Sequence, residues 1–235
     1  MKWLKLVLAF LLLPAVAALS MSAWRMGCHL AFGGHGPGGS LLAFGAGYAL
    51  WLAAFLLLPK PMRTYVLGHE LTHAFWAWIM GARVSGLRVG RAGGQVRTSK
   101  TNWFIVLAPY FFPFYAILFI GLFFLAHAIW GLGEWMELLF FLVGVGWSFH
   151  VTFTLMMLFS VQQPDVKSQG WLFSLVVIYC MNLLVMMLTV LALSESVTLG
   201  GVAPALGRDL AAAYGWTLDN VLWLWHRLSR YATGH

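Results

Sequence analysis

Charge is what this sequence has least of. Only 9% of its 235 residues are Asp, Glu, Lys or Arg, against about 25% in soluble globular domains, which excludes an ordinary water-soluble fold. Cysteine is nearly absent. Cys28 sits in an expected loop and Cys180 in a distant apolar run, so a disulfide framework and a cysteine metal cluster are both excluded. No basic-aromatic stripe and no nucleic-acid motif accompanies the formal charge of +7. The basic excess therefore points to anionic lipid headgroups as partner and not to nucleic acid. Room for a separate soluble domain is missing too, because the apolar runs fill the length with about six spans and short loops. The fold class that follows is an all-α polytopic membrane protein of about six transmembrane helices.

In chain order, residues 1–20 begin with Lys2 and Lys5 and run apolar to Pro14. They read as an N-terminal hydrophobic helix, retained, although a signal-like segment has the same pattern. Residues 21–63 hold a flexible glycine-rich loop over 21–40 and a second span over 41–58, stopped by Pro59-Lys60-Pro61. Residues 64–193 form the membrane core. A helix over 62–81 is followed by Val84, Leu87 and Val89 alternating with polar residues, a turn at Ala92-Gly93-Gly94 and a return over 95–99. That is a short β-hairpin. Pro109 and Pro113 predict a kink or break within 103–130. Spans over 138–161 and 171–193 follow, separated by a polar interruption. In the tail, 194–235, Leu218, Val221, Leu222, Trp225 and Leu228 share a helical face opposite Asp219, Asn220, Arg227 and Arg230, as in a helix lying in the membrane interface. Counting six spans from a cytoplasmic N-terminus puts seven basic residues on each side, so charge asymmetry casts no vote on orientation.

The chemistry concentrates at His69-Glu70-Leu71-Thr72-His73. Positions i and i+4 of a helix lie one turn apart on one face, so His69 and His73 can share a metal ion. Glu70 points to the flank of that face, where it can act as general base without ligating, the pattern of a zinc hydrolase. Chance supplies H-E-x-x-H in roughly one such chain in two hundred. The bland alternative is three polar residues lining a helix bundle. Against it, ionisable groups at membrane depth are costly and mark function by default.

Two histidines do not hold a catalytic zinc; a third protein ligand is needed. No acidic residue occurs between Glu70 and Glu134, and Trp76 stands where a metzincin has glycine. The candidates are Glu134, Glu137, Asp165, Glu195, Asp209, Asp219, His127 and His150. Asp165 is preferred because, beside Pro164 at a break between two spans, its carboxylate can face the bundle interior. The competing role for Asp165 is an N-cap for a helix starting at Val166. His150 and Asn182 are candidates for substrate or oxyanion contacts, or else bundle hydrogen-bond residues.

Over about 65–193 the chain resembles the site-2 protease family of zinc intramembrane metalloproteases. It shares the H-E-x-x-H membrane helix, the hairpin-like loop and an aspartate beside a later span. Thr72 replaces the usual glycine of H-E-L-G-H, Pro164-Asp165-Val166 replaces L-D-G, and no PDZ domain is inserted. The resemblance implies a Zn2+ cofactor on His69, His73 and Asp165, with Glu70 as catalytic base. It also implies peptide-bond hydrolysis in membrane-spanning protein substrates, the hairpin binding extended substrate by β-addition, and residence in the cell (inner) membrane. It places the site near the cytoplasmic side, which six real spans and a cytoplasmic N-terminus do not jointly permit. The alternatives are a metal-ion transporter and a catalytically inactive scaffold that binds helices.

Overall fold

The computed structural model describes residues 2–32, 38–90, 93–160, 163–194 and 196–233. Its elements are α1 (Lys2–Phe32), α2 (Gly39–Leu57), α3 (Met62–Ile79), β1 (Val84–Val89), β2 (Gly94–Thr98), α4 (Trp103–Leu107), α5 (Phe114–Trp130), α6 (Met136–Ser160), α7 (Pro164–Gln169), α8 (Trp171–Leu193) and α9 (Leu199–Thr233). A 3₁₀ turn over Ala108–Tyr110 extends α4. Among the described residues, four helices are long and apolar enough to cross a membrane: α1, α2, α6 and α8. A fifth arises if α4 and α5, bent by 80° at their break, count as one.

Three expectations need correction. The helix bearing the H-E-x-x-H motif is not among the apolar candidates, because Arg63, His69, Glu70 and His73 fall within its 18 residues. The six-span count loses that member. The expected loop over 21–40 is helical as far as Phe32. Leu19 and Met26 pack against Val176, Cys180 and Met187 of α8, so tertiary contact continues the helix up to the glycine-rich stretch. Most of that stretch, with His35, lies outside the described residues. The tail is one 35-residue helix whose first half is docked on α1. Ser22 Oγ donates to Asp209 at 2.6 Å, and Arg25 pairs with the same carboxylate at 2.6 Å. Beyond Tyr214, Leu218, Val221, Trp225 and Leu228 are exposed.

The packing directions are consistent. α1 and α8 run parallel, since Lys5 contacts Gln169, Ser20 meets Tyr179 at 2.9 Å, and Met26 packs with Met187. α9 runs antiparallel to α1: Val202 and Leu206 join the Met26 cluster, and Tyr214 donates to the Leu11 carbonyl at 2.8 Å. α2 and α6 run parallel, with backbones so close that a Cβ on Gly47 would lie 2.0 Å from the Phe141 carbonyl. One on Gly144 would lie 2.1 Å from that of Phe44. Small residues permit such contact between apolar helices, where no other driving force brings them together. α6 is antiparallel to α8, through Trp147–Thr189 at 3.1 Å and His150–Asn182 at 3.0 Å. α3 is held against the hairpin, the α4 region and α5.

The hairpin expected over 84–99 is present as an antiparallel pair with an irregularity at Gly86, whose φ is +67°. Gly90 N donates to Gly93 O, and Ser99 N to Arg83 O. Counting inward from both ends leaves the amides of Gly94, Val96 and Thr98 on the outer edge of β2.

Candidate metal centre

His69 and His73 project one turn apart from α3, their rings 4.8 Å apart and edge to face. Asp165 comes from the first turn of α7, after the α6 break. Its Oδ2 lies 3.3 Å from His69 Nε2 and 3.5 Å from His73 Nε2. One ligand atom from each of the three lies within 4.8 Å of the others. Around a zinc ion, tetrahedral N and O ligands at about 2.0–2.1 Å stand about 3.3–3.4 Å apart, close to the two distances from Asp165.

The tautomers fit as well. His73 Nδ1 donates to the Ile105 carbonyl at 2.8 Å, leaving the Nε2 lone pair toward Asp165. His69 Nδ1 lies 3.3 Å from the Tyr65 hydroxyl. Ile105 is itself oriented by Asn102, which caps α4 by accepting from the Ile105 amide at 2.9 Å. Asp165 does not cap α7: the N-cap residue is Gln163, with no side-chain cap bond. The Asp165 carboxylate instead accepts from Tyr110 at 3.2 Å, and Tyr110 also reaches Gln163 at 3.1 Å. Burial pushes the Asp165 carboxyl up, but when the imidazoles of His69 and His73 are protonated their hydrogen bonds and positive charge outweigh it and hold it well below the usual carboxylate range. Such a carboxylate is ionised and ready to ligate.

Glu70 is buried under the hairpin. A Cβ on Gly94 would lie 2.6 Å from Glu70 Cγ, so only glycine lets β2 lie this close. The outward amide of Val96 points to the Glu70 carboxylate. A small open cleft borders His69, walled by Tyr65, Gly68, Thr72, Phe112, Tyr115, Phe149 and His150.

The other ligand candidates are elsewhere. Among the described residues Glu134, Glu137 and Asp219 are exposed, and Asp209 is tied to Ser22 and Arg25. His127 stacks on Phe123, and Glu195 lies outside the described residues. His150 and Asn182, candidates for substrate or oxyanion contacts or else bundle hydrogen-bond residues, make bundle hydrogen bonds. Asn182 uses both amide hydrogens on the carbonyls of Tyr110 and Ile178, each at 2.8 Å, and its oxygen faces His150 Nε2. They pin α6, α8 and the α4–α5 break together, and His150 also lines the cleft. Sequence reasoning missed Tyr65, Tyr110, Asn102 and the Ile105 carbonyl. Asn102 before an apolar run is a readable cap signal; the tyrosines carry none.

Comparison of the chain with family models, with curated proteins and with solved structures returned no match.

Proposed function

We propose that this is a multi-pass membrane zinc metallopeptidase of the site-2 protease type, hydrolysing peptide bonds in membrane-spanning proteins. The observation that carries the reading is the convergence of His69, His73 and Asp165 on one point, with Glu70 beside them beneath a strand edge. His69, His73 and Asp165 hold the metal. Bound zinc supplies Lewis-acid polarisation of a carbonyl and acidifies water towards neutrality. Glu70 takes a proton from the attacking water and returns it to the leaving amine. Tyr110 and the Ile105 carbonyl keep Asp165 and His73 in their orientations. The outer edge of β2 offers the amides of Gly94 and Thr98 to an extended substrate, whose helical carbonyls must first be freed, while that of Val96 holds Glu70. Buried against the hairpin, Glu70 works where water is scarce and its proton transfers are shielded.

The test is zinc content and cleavage of a single-span reporter, measured on one reconstituted preparation. Glu70→Gln keeps size but removes basicity, so it should retain zinc and lose about 10²- to 10⁴-fold in turnover. Absence of stoichiometric zinc in the parent overturns the site. Zinc without cleavage by the parent over a broad reporter set favours the scaffold, and Glu70-dependent metal flux favours a transporter.

A further inference from the structure

We infer that the protein turns one strongly cationic face to the anionic phospholipid headgroups of the cytoplasmic leaflet, and that α3 enters and leaves the bilayer on that same face. The inference rests on the membrane reading above but not on the proposed peptidase activity.

Helix directions define the face. The start of α1 lies beside the start of α8, through Lys5 with Gln169 and Phe173. Because α6 is antiparallel to α8 and parallel to α2, the ends of α2 and α6 lie at that level too. α5 is antiparallel to α6, with Ala116 against Gly146 and Phe123 beside Leu139 and Val143, so it starts level with the middle of α6 and ends at the opposite level. α3 follows the end of α2 and leads, through the hairpin, into α4. Trp103 at the start of α4 meets Phe173, near the start of α8, at 6.0 Å. Both ends of α3 are therefore on one side. α9 returns along α1 to the same side: from Tyr214, level with Leu11, Arg227 lies about 20 Å further along the helix.

Charge then separates sharply. Of fourteen Lys and Arg residues, Arg91 lies outside the described residues. Lys2 and Lys5 open α1 on this face, and Lys60 and Arg63 join α2 to α3. Arg83, Arg88, Arg97 and Lys100 belong to the hairpin and its flanks, and Lys167 to α7. Arg227 and Arg230 lie near the end of α9. That makes eleven. Only Arg25 and Arg208 lie towards the opposite end, where Arg25 is held by Asp209. The balanced sequence count came from letting α3 cross and leaving the whole tail on one side; with α3 returning and α9 running back along α1, the count is eleven to two, and the basic face is cytoplasmic by the positive-inside rule. Basic residues at that surface each add attraction to anionic lipid. The hairpin register puts Arg88 and Arg97 on one face and Leu87 and Val96 on the other, so the hairpin can meet headgroups on its basic face.

Single cysteines in the full chain, with Cys28→Ser and Cys180→Ala, test the sidedness in spheroplasts of an expressing bacterium. Lys60→Cys and Gln95→Cys should both resist a membrane-impermeant maleimide until lysis, whereas Glu134→Cys should label from outside. Arg97→Cys serves as a second hairpin reporter should Gln95→Cys fail to accumulate. Lys60 and hairpin cysteines on opposite sides, or the basic face labelled from outside, would overturn the inference. Extraction of the protein by alkaline carbonate would overturn the membrane reading beneath it. For the partner, spin-labelled phosphatidylglycerol should associate with the purified full chain at least about twofold more than phosphatidylcholine. Arg88→Glu with Arg97→Glu should reduce that preference. Equal association of the two lipids removes the headgroups as partner.

Discussion

The α2–α6 pair and the α3–hairpin–α7 region solve opposite problems. α2 and α6 are apolar along most of their length and meet backbone to backbone at Gly47 and Gly144. One hydrogen bond, from Trp51 Nε1 to Thr152 Oγ1 at 3.0 Å, joins them; the rest of that contact is shape. Around α3 the contacts are polar and specific: His73 to a carbonyl, Asp165 to a tyrosine and two histidines, Glu70 under a strand. Long helices locked by close packing supply rigidity, and short elements braced between them supply chemistry. Changes in the first region should therefore cost folding, and changes in the second should cost metal or turnover while the fold remains.

The largest effect that tests this contrast is metal loss. His69→Ala and His73→Ala each remove one of the three proposed ligands, so zinc measured by elemental analysis should fall from stoichiometric to near zero while circular dichroism stays helical. Zinc retained in both variants breaks the contrast. Asp165→Ala should act in the same direction. Because Asp165 makes no cap bond, the roughly 1 kcal/mol cost of a lost N-cap should not appear in its thermal stability.

Gly144→Val comes next, and should do the reverse. Its added carbons meet the Phe44 backbone, and overpacking of this kind costs about 1–3 kcal/mol. A lowered denaturation midpoint with full zinc in the surviving folded fraction is the expected result. A stable but zinc-free variant would show the two regions to be one unit.

Smaller effects sharpen the picture within the site. Thr98→Pro removes an outward amide without breaking a ladder bond to β1. Reporter cleavage should fall while zinc is retained, and unchanged turnover would make the hairpin an ordinary cover. Tyr110→Phe removes one hydrogen bond to Asp165. Zinc affinity, measured by competition with a chelator, should weaken by about 10-fold, the low end for partners that orient a ligand.

Much of this was legible in the chain itself. The apolar runs over 41–58, 138–161 and 171–193 appear as α2, α6 and α8 within two residues at each end, because an uncharged helix of that length has few other ways to satisfy its backbone. The hairpin was readable from alternation and a glycine turn, and the α4–α5 break from Pro109 and Pro113. The H-E-x-x-H spacing places His69 and His73 on one face by helix geometry alone. Asp165 was singled out from its position at a break, and the structure sets it between both histidines.

The rest depended on contacts between residues far apart in sequence. Residues 21–32 are helical because α8 and α9 cover them, and local composition does not record that cover. Tyr110 reaches Asp165 and Asn182 reaches Tyr110 only after α4, α6, α7 and α8 have packed. The sidedness of α3 is of the same kind. Whether a moderately polar 18-residue helix crosses or returns is set by where its neighbours hold its two ends. The sequence by itself determined which segments are apolar helices and which face carries two histidines. Tertiary structure alone decided which carboxylate meets them and on which side of the bundle they lie, because both are distances between segments that chain order leaves free.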